Sequence, residues 1–273
     1  MMNTEYLYHY TSIENLALIL KNRTIRLNRL DKVDDLQEQR TRDIENLGRF
    51  VFVSSWTDSI NESIPMWNMY ASLKAGVRIG LKKYPFVRQG TYAKDMVRTT
   101  GYSLTPESAE FTDTFLDLSQ LVKCRCYSPQ AWSGDILVQV NYTDDKTQLE
   151  PQMVYKEGET TTLALGLLGK HKNTHWSFQK EWRYLMSFIP FNYVGNPVDI
   201  EKKAIENMKK MILGQLPAPF ECFDLNIEAS AFESMVITPS PQISAGNMVI
   251  LDALIKEFNP TAKIQESTLI GLI

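Results

Sequence analysis

Residues 175–184 are the part of the sequence best suited to chemistry. Here acidic, basic and aromatic side chains follow one another in His-Trp-Ser-Phe-Gln-Lys-Glu-Trp-Arg-Tyr. If a strand begins near Lys180, its alternation places Glu181 and Arg183 on one face, opposite two aromatic residues. One interpretation is a structural ion pair on a sheet. The other is a carboxylate that stabilises a developing positive charge or orients a hydroxyl.

His9 is a second candidate, and it is one of three histidines in the chain. It lies near the end of a predicted strand, residues 5–10, and just before residues 11–14, whose hydroxyl and carboxylate form a capping-box pattern at a helix start. A hydrogen-bonded structural histidine is one interpretation. The alternative is a binding role, because Tyr8 and Tyr10 flank it and the free N–H groups at the turn can bind an anion or a ribose.

A third candidate segment, residues 65–71, contains Trp67 and Tyr70 at a spacing of three. In a helix over residues 64–73, which the apolar spacing predicts, both rings lie on one face. Such a stripe is usually core. The alternative is a face on which a planar ring stacks.

Other chemical patterns are weaker. Cys124 and Cys126 are separated by one residue, which suits neither a zinc knuckle nor a disulfide framework. His171 and His175 lie in a segment with the character of a loop, and we predict no metal site. The acidic residues 31–38 could hold a cation in a nuclease, but a solvated loop is the simpler interpretation.

The elements that must position these residues alternate between strands and helices. Strands are predicted near residues 5–10, 24–28, 50–56, 77–81, 181–188, 235–238 and 262–266, and helices near residues 13–20, 64–73, 158–170, 200–213 and 247–258. Residues 90–143 are predicted to form further strands around one helix, most clearly at 121–127 and 136–142. We predict a single α+β domain over residues 1–273, with residues 190–230 as a candidate insertion or lid.

Composition narrows the class of protein. The 273 residues are 44% apolar and 22% charged, which excludes disordered, collagenous and coiled-coil chains. A net charge of −3 does not indicate a polyanionic partner, although it is compatible with a local basic patch. The odd number of cysteines indicates a reduced protein, and no apolar run of ~18 residues or signal sequence is present. We therefore expect a cytoplasmic protein without membrane contact.

Four stretches together resemble the large bacterial family called domain of unknown function 2971. They are LYHYTSIENLALIL, FVSSWTDSINESIPMWNMYASLKAGVRIGL, HWSFQKEWRYL and MVITPSPQISAGNMVILDALIKEFNPTAKIQES. The most specific parts are the MWxxYA-like segment with the Gly-Val-x-Ile-Gly strand after it, and the Lys-Glu-Trp-Arg sequence. The match covers most of the chain, but the family's name implies no activity.

A more distant resemblance is to the ADP-ribosyltransferase fold, particularly its nucleic-acid-modifying toxin branches. There a first-strand His holds the nicotinamide ribose of NAD, a middle-strand aromatic or Ser-Thr-Ser element shapes the nicotinamide pocket, and a late-strand Glu orients the ribose hydroxyl. His9, the Ser54-Ser55 pair and Glu181 stand here in that order. The resemblance implies a central split β-sheet flanked by helices.

The resemblance also implies a role for each matching residue. Glu181 would be catalytic, and NAD, the co-substrate, would be bound by His9, Tyr10, Thr11, Arg29, Ser54, Ser55, Trp67 and Tyr70. Arg26 is the alternative to Arg29 for the pyrophosphate, because a guanidinium matches phosphate geometry. The sequence departs from the class by having Ser-Ser-Trp where a middle Tyr is expected. Gln179-x-Glu181 resembles the Gln-x-Glu of arginine-specific, protein-modifying enzymes.

What the resemblance implies is an NAD-dependent ADP-ribosyltransferase that acts as a bacterial toxin or an antiviral, phage-defence effector. Its acceptor would be RNA, DNA or protein, and an antitoxin or inhibitor protein would restrain it. Two alternatives stay open. One is a non-catalytic nucleotide- or partner-binding module on the same fold, and the other is a metal-dependent nuclease that uses the carboxylates of residues 31–38.

Overall fold

A computed structural model describes residues 5–92, 111–116, 118–130, 135–158, 160–192 and 195–273. Over those ranges the architecture is mixed α/β, with a nine-stranded central sheet, helices and four two-stranded sheets. Part of the region predicted as strands around one helix, at residues 93–110, 117 and 131–134, lies outside the described residues.

The strands, in chain order, are β1 (Tyr6–Ser12), β2 (Thr24–Arg29), β3 (Val51–Thr57), β4 (Gly76–Lys82), β5 (Gln89–Tyr92), β6 (Phe111–Thr114), β7 (Cys126–Tyr127), β8 (Leu137–Gln139), β9 (Asn141–Thr143), β10 (Val154–Glu157), β11 (Thr160–Leu163), β12 (His171–Asn173), β13 (Glu181–Ser187), β14 (Ile189–Pro190), β15 (Cys222–Asn226), β16 (Val236–Pro239) and β17 (Lys263–Ile264).

The helices are α1 (Ile13–Asn22), α2 (Ile64–Met66), α3 (Leu118–Cys124), α4 (Lys146–Leu149), α5 (Pro197–Ile212), α6 (Ala229–Glu233) and α7 (Ala245–Phe258). A π-helix, Trp67–Ala71, continues α2. Short 3-10 helices cover Leu30–Lys32, Leu47–Phe50, Leu165–Leu167 and Thr174–Gln179.

The central sheet divides at β3, and this division forms the site. Its order is β15-β2-β3-β1-β4-β16-β17, while β13 pairs with β3 along its whole length and β8 follows β13. Since β13 fills one edge of β3, β1 and β2 share the other edge. β2 pairs with β3 at Val53 and Phe52, and β1 pairs with it only at Thr57. Among the described strands of this sheet, only β16 and β17 pair in parallel, so the sheet is mixed.

Alternation along β3 sends side chains to two cores. Phe52 and Trp56 belong to the larger cluster, which includes buried residues of α1 and α7, whereas Val51 and Val53 belong to a second cluster. Because successive strand residues point to opposite faces, the sheet is buried on both faces at this strand. β3 is therefore a rigid support for the residues along its edge.

Helix α1 begins one residue later than the capping-box pattern predicted. β1 continues through Ser12, whose side chain caps the helix by accepting from the backbone N–H of Asn15 at 3.2 Å. The helix ends before Arg23, which has left-handed backbone geometry. The predicted strand and helix themselves are confirmed.

Two predicted elements are wrong. The predicted strand at 121–127 is mostly α3, followed by the two-residue strand β7, because its apolar residues recur at helical spacing. The predicted helix at 158–170 is β11 and a 3-10 turn. Glycine interrupts that segment three times, and Gly158 and Gly169 have positive φ angles of 58° and 75°, which a helix does not allow.

The region proposed as an insertion or lid, residues 190–230, contains α5 and β15. β15 pairs with β2 over five residues, from Cys222 to Asn226, and it ends the order of the central sheet. Met211 of α5 is buried in the second core cluster. The end of the region is therefore part of the sheet itself. Of the helices that the structure describes, none is both long enough and apolar enough to cross a bilayer.

Candidate functional site

A cavity of about 520 Å³ opens where β1 and β2 separate along the edge of β3. Residues of β1, α1, β2, β3, the π-helix and β13 line it. Pockets that hold small organic ligands typically measure about 300–1,000 Å³. The cavity is therefore large enough for a ligand of that class.

Most of the residues singled out in the sequence line this cavity. They are Glu181, His9, Tyr10, Thr11, Ser54, Ser55 and Tyr70. Trp67 and Arg29 do not line it. Arg26, the alternative to Arg29, does line it, and Asp224 binds its guanidinium through two contacts of 2.9 and 3.0 Å.

Trp67 and Arg29 have structural partners instead. The Trp67 ring is fully buried, stands edge-on to Tyr10 with 4.9 Å between ring centroids, and donates its Nε1–H to Glu62 at 2.9 Å. Arg29 donates to Asp31 at 2.8 Å and to Glu221 at 2.9 Å. The core interpretation of the Trp67 stripe therefore holds for Trp67, whereas Tyr70 reaches the cavity.

His9 occupies the gap between β1 and β3. Its Nδ1 lies 2.7 Å from the backbone oxygen of Ser55, at the level where the two strands no longer pair. Because a carbonyl oxygen only accepts, Nδ1 carries the hydrogen, and Nε2 of the neutral ring is an acceptor. Burial lowers the pKa of His9, and the hydrogen bond to Ser55 opposes that shift. His9 is therefore a neutral imidazole at neutral pH.

Glu181 opens β13 and is almost fully buried, with 3% of its surface exposed. Its Oε1 accepts from Arg183 Nε at 2.6 Å, and its Oε2 accepts from Lys172 Nζ at 3.1 Å. Burial alone would raise the pKa of Glu181, but Arg183 and Lys172, with a smaller effect from the nearby Ser55 side chain, lower it to about 2. Glu181 is therefore a carboxylate at neutral pH.

Ser55 joins the two candidate residues. Its backbone oxygen accepts from His9, and its side chain lies close enough to Glu181 to help lower the pKa of that carboxylate. The antiparallel register explains this, because Ser55 lies opposite Arg183 and next to the start of β13. His9 and Glu181, which are far apart in the sequence, thus lie near the same residue of β3.

Glu181 belongs to a buried ring of alternating charges that also contains Arg183, Lys172 and Glu38. Arg183 donates to both oxygens of Glu38, with Nη2–Oε1 at 2.9 Å, and Lys172 Nζ lies 3.2 Å from Glu38 Oε1. The four side chains are between 1% and 6% exposed. Two carboxylates balance two cations, so the ring carries no net charge.

Sequence reasoning found only half of this ring. The strand alternation correctly placed Glu181 and Arg183 on one face, and their hydrogen bond confirms it. Lys172 and Glu38 were missed as partners. Glu38 was interpreted as part of a solvated acidic loop, and no local pattern marks it as the buried acidic residue of that stretch.

Tyr70 connects the cavity wall to the ring. Gln179 donates from Nε2 to the Tyr70 hydroxyl at 2.6 Å and accepts from Lys172 Nζ at 2.8 Å. Burial, together with the nearby carboxylate of Asp34, raises the pKa of Tyr70. Tyr70 is therefore a neutral phenol whose position is fixed.

Other candidate chemistry is not assembled in the described part of the chain. No group of three or more His, Cys, Asp or Glu residues is arranged there to hold a metal ion. Asp31 is one of the carboxylates considered for a nuclease, and it forms an ion pair with Arg29. Burial raises the pKa of the Cys124 thiol. Burial, with a contribution from Cys124, raises the pKa of the Cys126 thiol to about 12. Neither thiol is therefore an activated nucleophile.

A comparison with protein-family models matches part of the chain. The family model described as Protein of unknown function (DUF2971) matches residues 66–184 and supports the resemblance to that family over this segment. The matched segment includes Tyr70, Lys172, Glu181 and Arg183, whereas His9 precedes it. No curated protein matches the chain significantly.

Proposed function

We propose that this chain is an NAD-dependent ADP-ribosyltransferase whose catalytic residue is Glu181. The observation that carries the proposal is that His9, Ser55 and Glu181 line one cavity, in which His9 hydrogen-bonds to the backbone oxygen of Ser55. The ADP-ribosyltransferase resemblance predicts that these residue types lie side by side. Their large separation in the sequence gives no reason to expect it. We extend the proposal to a bacterial toxin or defence effector with a nucleic acid or protein acceptor and an antitoxin or inhibitor partner.

In this reaction the bond between nicotinamide and ribose C1′ breaks with its electron pair leaving on nicotinamide. The ribose passes through an oxocarbenium-like state, which an adjacent carboxylate stabilises more than it stabilises the ground state. Glu181, ionised at neutral pH, supplies that charge. An acceptor nucleophile then forms the new bond to C1′ and releases its proton.

The remaining cavity residues would bind and orient NAD. His9 can accept a hydrogen bond from a ribose hydroxyl through Nε2, and the Tyr70 ring can stack on the planar nicotinamide. Because Arg29 is outside the cavity, the pyrophosphate would be bound by Arg26, together with the exposed Lys32.

One observation favours a second candidate, a binding module that does not turn NAD over. Both carboxylate oxygens of Glu181 are already held, by Arg183 and by Lys172. The same ion pairs would be present if the ring had only a structural role, because buried charges must be paired. The nuclease alternative has no comparable observation in its favour among the described residues.

Transfer of label from NAD distinguishes the two candidates. Wild-type protein is incubated with labelled NAD and with separate pools of DNA, RNA and cell protein, beside Glu181→Gln and the control Glu206→Gln. Glu206 is an exposed carboxylate of α5 that also binds two lysines, Lys203 and Lys210. We expect wild type and the control to label one pool, and Glu181→Gln to be at least about a hundredfold slower. NAD binding without nicotinamide release would favour the binding module.

A further inference from the structure

Glu38 is the one buried acidic residue in the polar stretch of residues 31–46, all of which the structure describes. Its neighbours Asp34 and Asp43 are exposed, whereas its own side chain is 1% exposed. Burying a charge is costly unless partners compensate it. The position of Glu38 therefore requires an explanation in terms of what it binds.

What Glu38 binds is the pair of cations that hold Glu181. Arg183 reaches Glu38 with both terminal nitrogens and Glu181 with Nε, so one guanidinium spans the two carboxylates. Lys172 does the same with its single ammonium group, at 3.2 and 3.1 Å. Each cation is thus held from two sides, and neither can move toward the cavity without breaking a contact to Glu38.

The charge balance gives Glu38 a second effect. Without it, Glu181 would face two positive charges, and this part of the cavity would carry a net positive charge. Such a charge opposes the formation of a cation on the ribose, and the opposition is strong because the groups are removed from water. With Glu38 present, the two carboxylates balance the two cations, and this part of the cavity has no net positive charge that would oppose a cation on the ribose.

We propose that Glu38 is a positioning residue of the site, which fixes Glu181 and keeps the site free of net positive charge by holding Arg183 and Lys172. This inference rests on the proposed NAD-cleaving function. Glu38 acts through the two cations and does not touch the substrate. Its loss therefore affects the chemical step and leaves NAD binding almost unchanged.

The test compares Glu38→Gln, Glu38→Asp and the control Glu206→Gln. For each variant, kcat and KM for nicotinamide release from NAD are measured below the melting temperature, with the folded fraction determined by circular dichroism. We expect Glu38→Gln to lower kcat roughly tenfold to a hundredfold with KM changed less than about twofold. Glu38→Asp, which keeps the charge but shortens the side chain, should recover part of the loss, and the control should equal wild type.

The possible outcomes separate this inference from the function on which it rests. An unchanged kcat for Glu38→Gln, or a loss that only follows the folded fraction, overturns the positioning role and leaves the function intact. Wild-type protein that releases no nicotinamide overturns both. If Glu38→Gln does not fold, Glu38→Asp decides, because a folded Asp variant with wild-type kcat and KM would also overturn the proposal.

Discussion

Single residues in this site are kept charged or neutral by their partners. Glu181 is buried yet ionised because two cations contact it, and His9 is neutral because the effect of burial on its pKa outweighs the opposing effect of its hydrogen bond to a carbonyl. The alternation of residues 181–184 was enough to place Glu181 beside Arg183. It could not identify Glu38 or Lys172, because these reach the ring from segments whose paths depend on the tertiary fold.

A pH dependence of stability follows from His9. Its pKa is lowered in the folded protein, so as pH falls below about 6.5 the unfolded chain takes up a proton that the folded chain does not. The stability that neutral His9 contributes is complete above that pH, and it is lost as the pH falls toward the folded-state pKa. We expect the melting temperature of wild type to exceed that of His9→Asn more at pH 7.5 than at pH 5.

The matched control for this prediction is His175→Asn, since His175 is exposed. Its difference from wild type should be the same at both pH values, as judged by thermal melts followed by circular dichroism. A wild-type advantage over His9→Asn that is equal at pH 7.5 and pH 5 would contradict a buried neutral His9.

The elements around the cavity explain the most specific part of the family resemblance. In the Gly-Val-x-Ile-Gly strand, β4, a Cβ on Gly76 would lie 2.3 Å from the backbone oxygen of Ala71, and one on Gly80 would lie 3.0 Å from the Tyr8 ring. Both glycines thus permit close approach, one to the end of the π-helix and the other to β1. The π-helix carries Tyr70 to the cavity.

Gly76→Ala should therefore be destabilising and should disturb Tyr70. The added methyl group must displace backbone rather than a flexible side chain, so we expect a loss of about 1–3 kcal/mol in the free energy of unfolding. Gly246→Ala in α7 is the control, because nothing lies within 4 Å of its Cβ position. Urea denaturation measures both variants. Equal free energies of unfolding for Gly76→Ala and Gly246→Ala would show that the contact at Gly76 is not tight.

At the same scale, strong alternation and helical spacing predicted most of the elements near the site. The strands β1, β3, β4 and β13 and the helix after β1 are where the sequence placed them. The two failures have different causes: the few apolar residues of 121–127 continue a helical spacing, whereas glycine interrupts residues 158–170. Short elements of this kind depend on tertiary contacts more than on local preference.

For the whole molecule, the decisive feature is the sheet that divides at β3. Periodicity predicts strands but not their neighbours, so the separation of β1 from β2 could not be derived from residues alone. The structure has a central mixed sheet with helices, in which β1 and β3 pair at Tyr8 and Thr57, and the split sheet that the resemblance implied stays a prediction. The cavity is a consequence of this topology.

A ligand that fills this cavity contacts β1, β2 and β3 together, so it should stabilise the whole fold. At NAD concentrations of about 100 times Kd, the free energy of unfolding should rise by about 2.7 kcal/mol. For a chain of this size, we expect the melting temperature to rise by roughly 5–10 °C. Differential scanning fluorimetry with and without NAD measures the shift. An unchanged melting temperature at millimolar NAD would contradict an NAD site.

The most direct test of the central claim is the rate of nicotinamide release from NAD by wild type and by Glu181→Gln, with both proteins shown to be folded and to bind NAD. Our account predicts release by wild type and a rate at least about a hundredfold lower for the variant, because the carboxylate stabilises charge that develops at the ribose in the transition state. Equal rates, or no release by a wild-type protein that binds NAD, would contradict it.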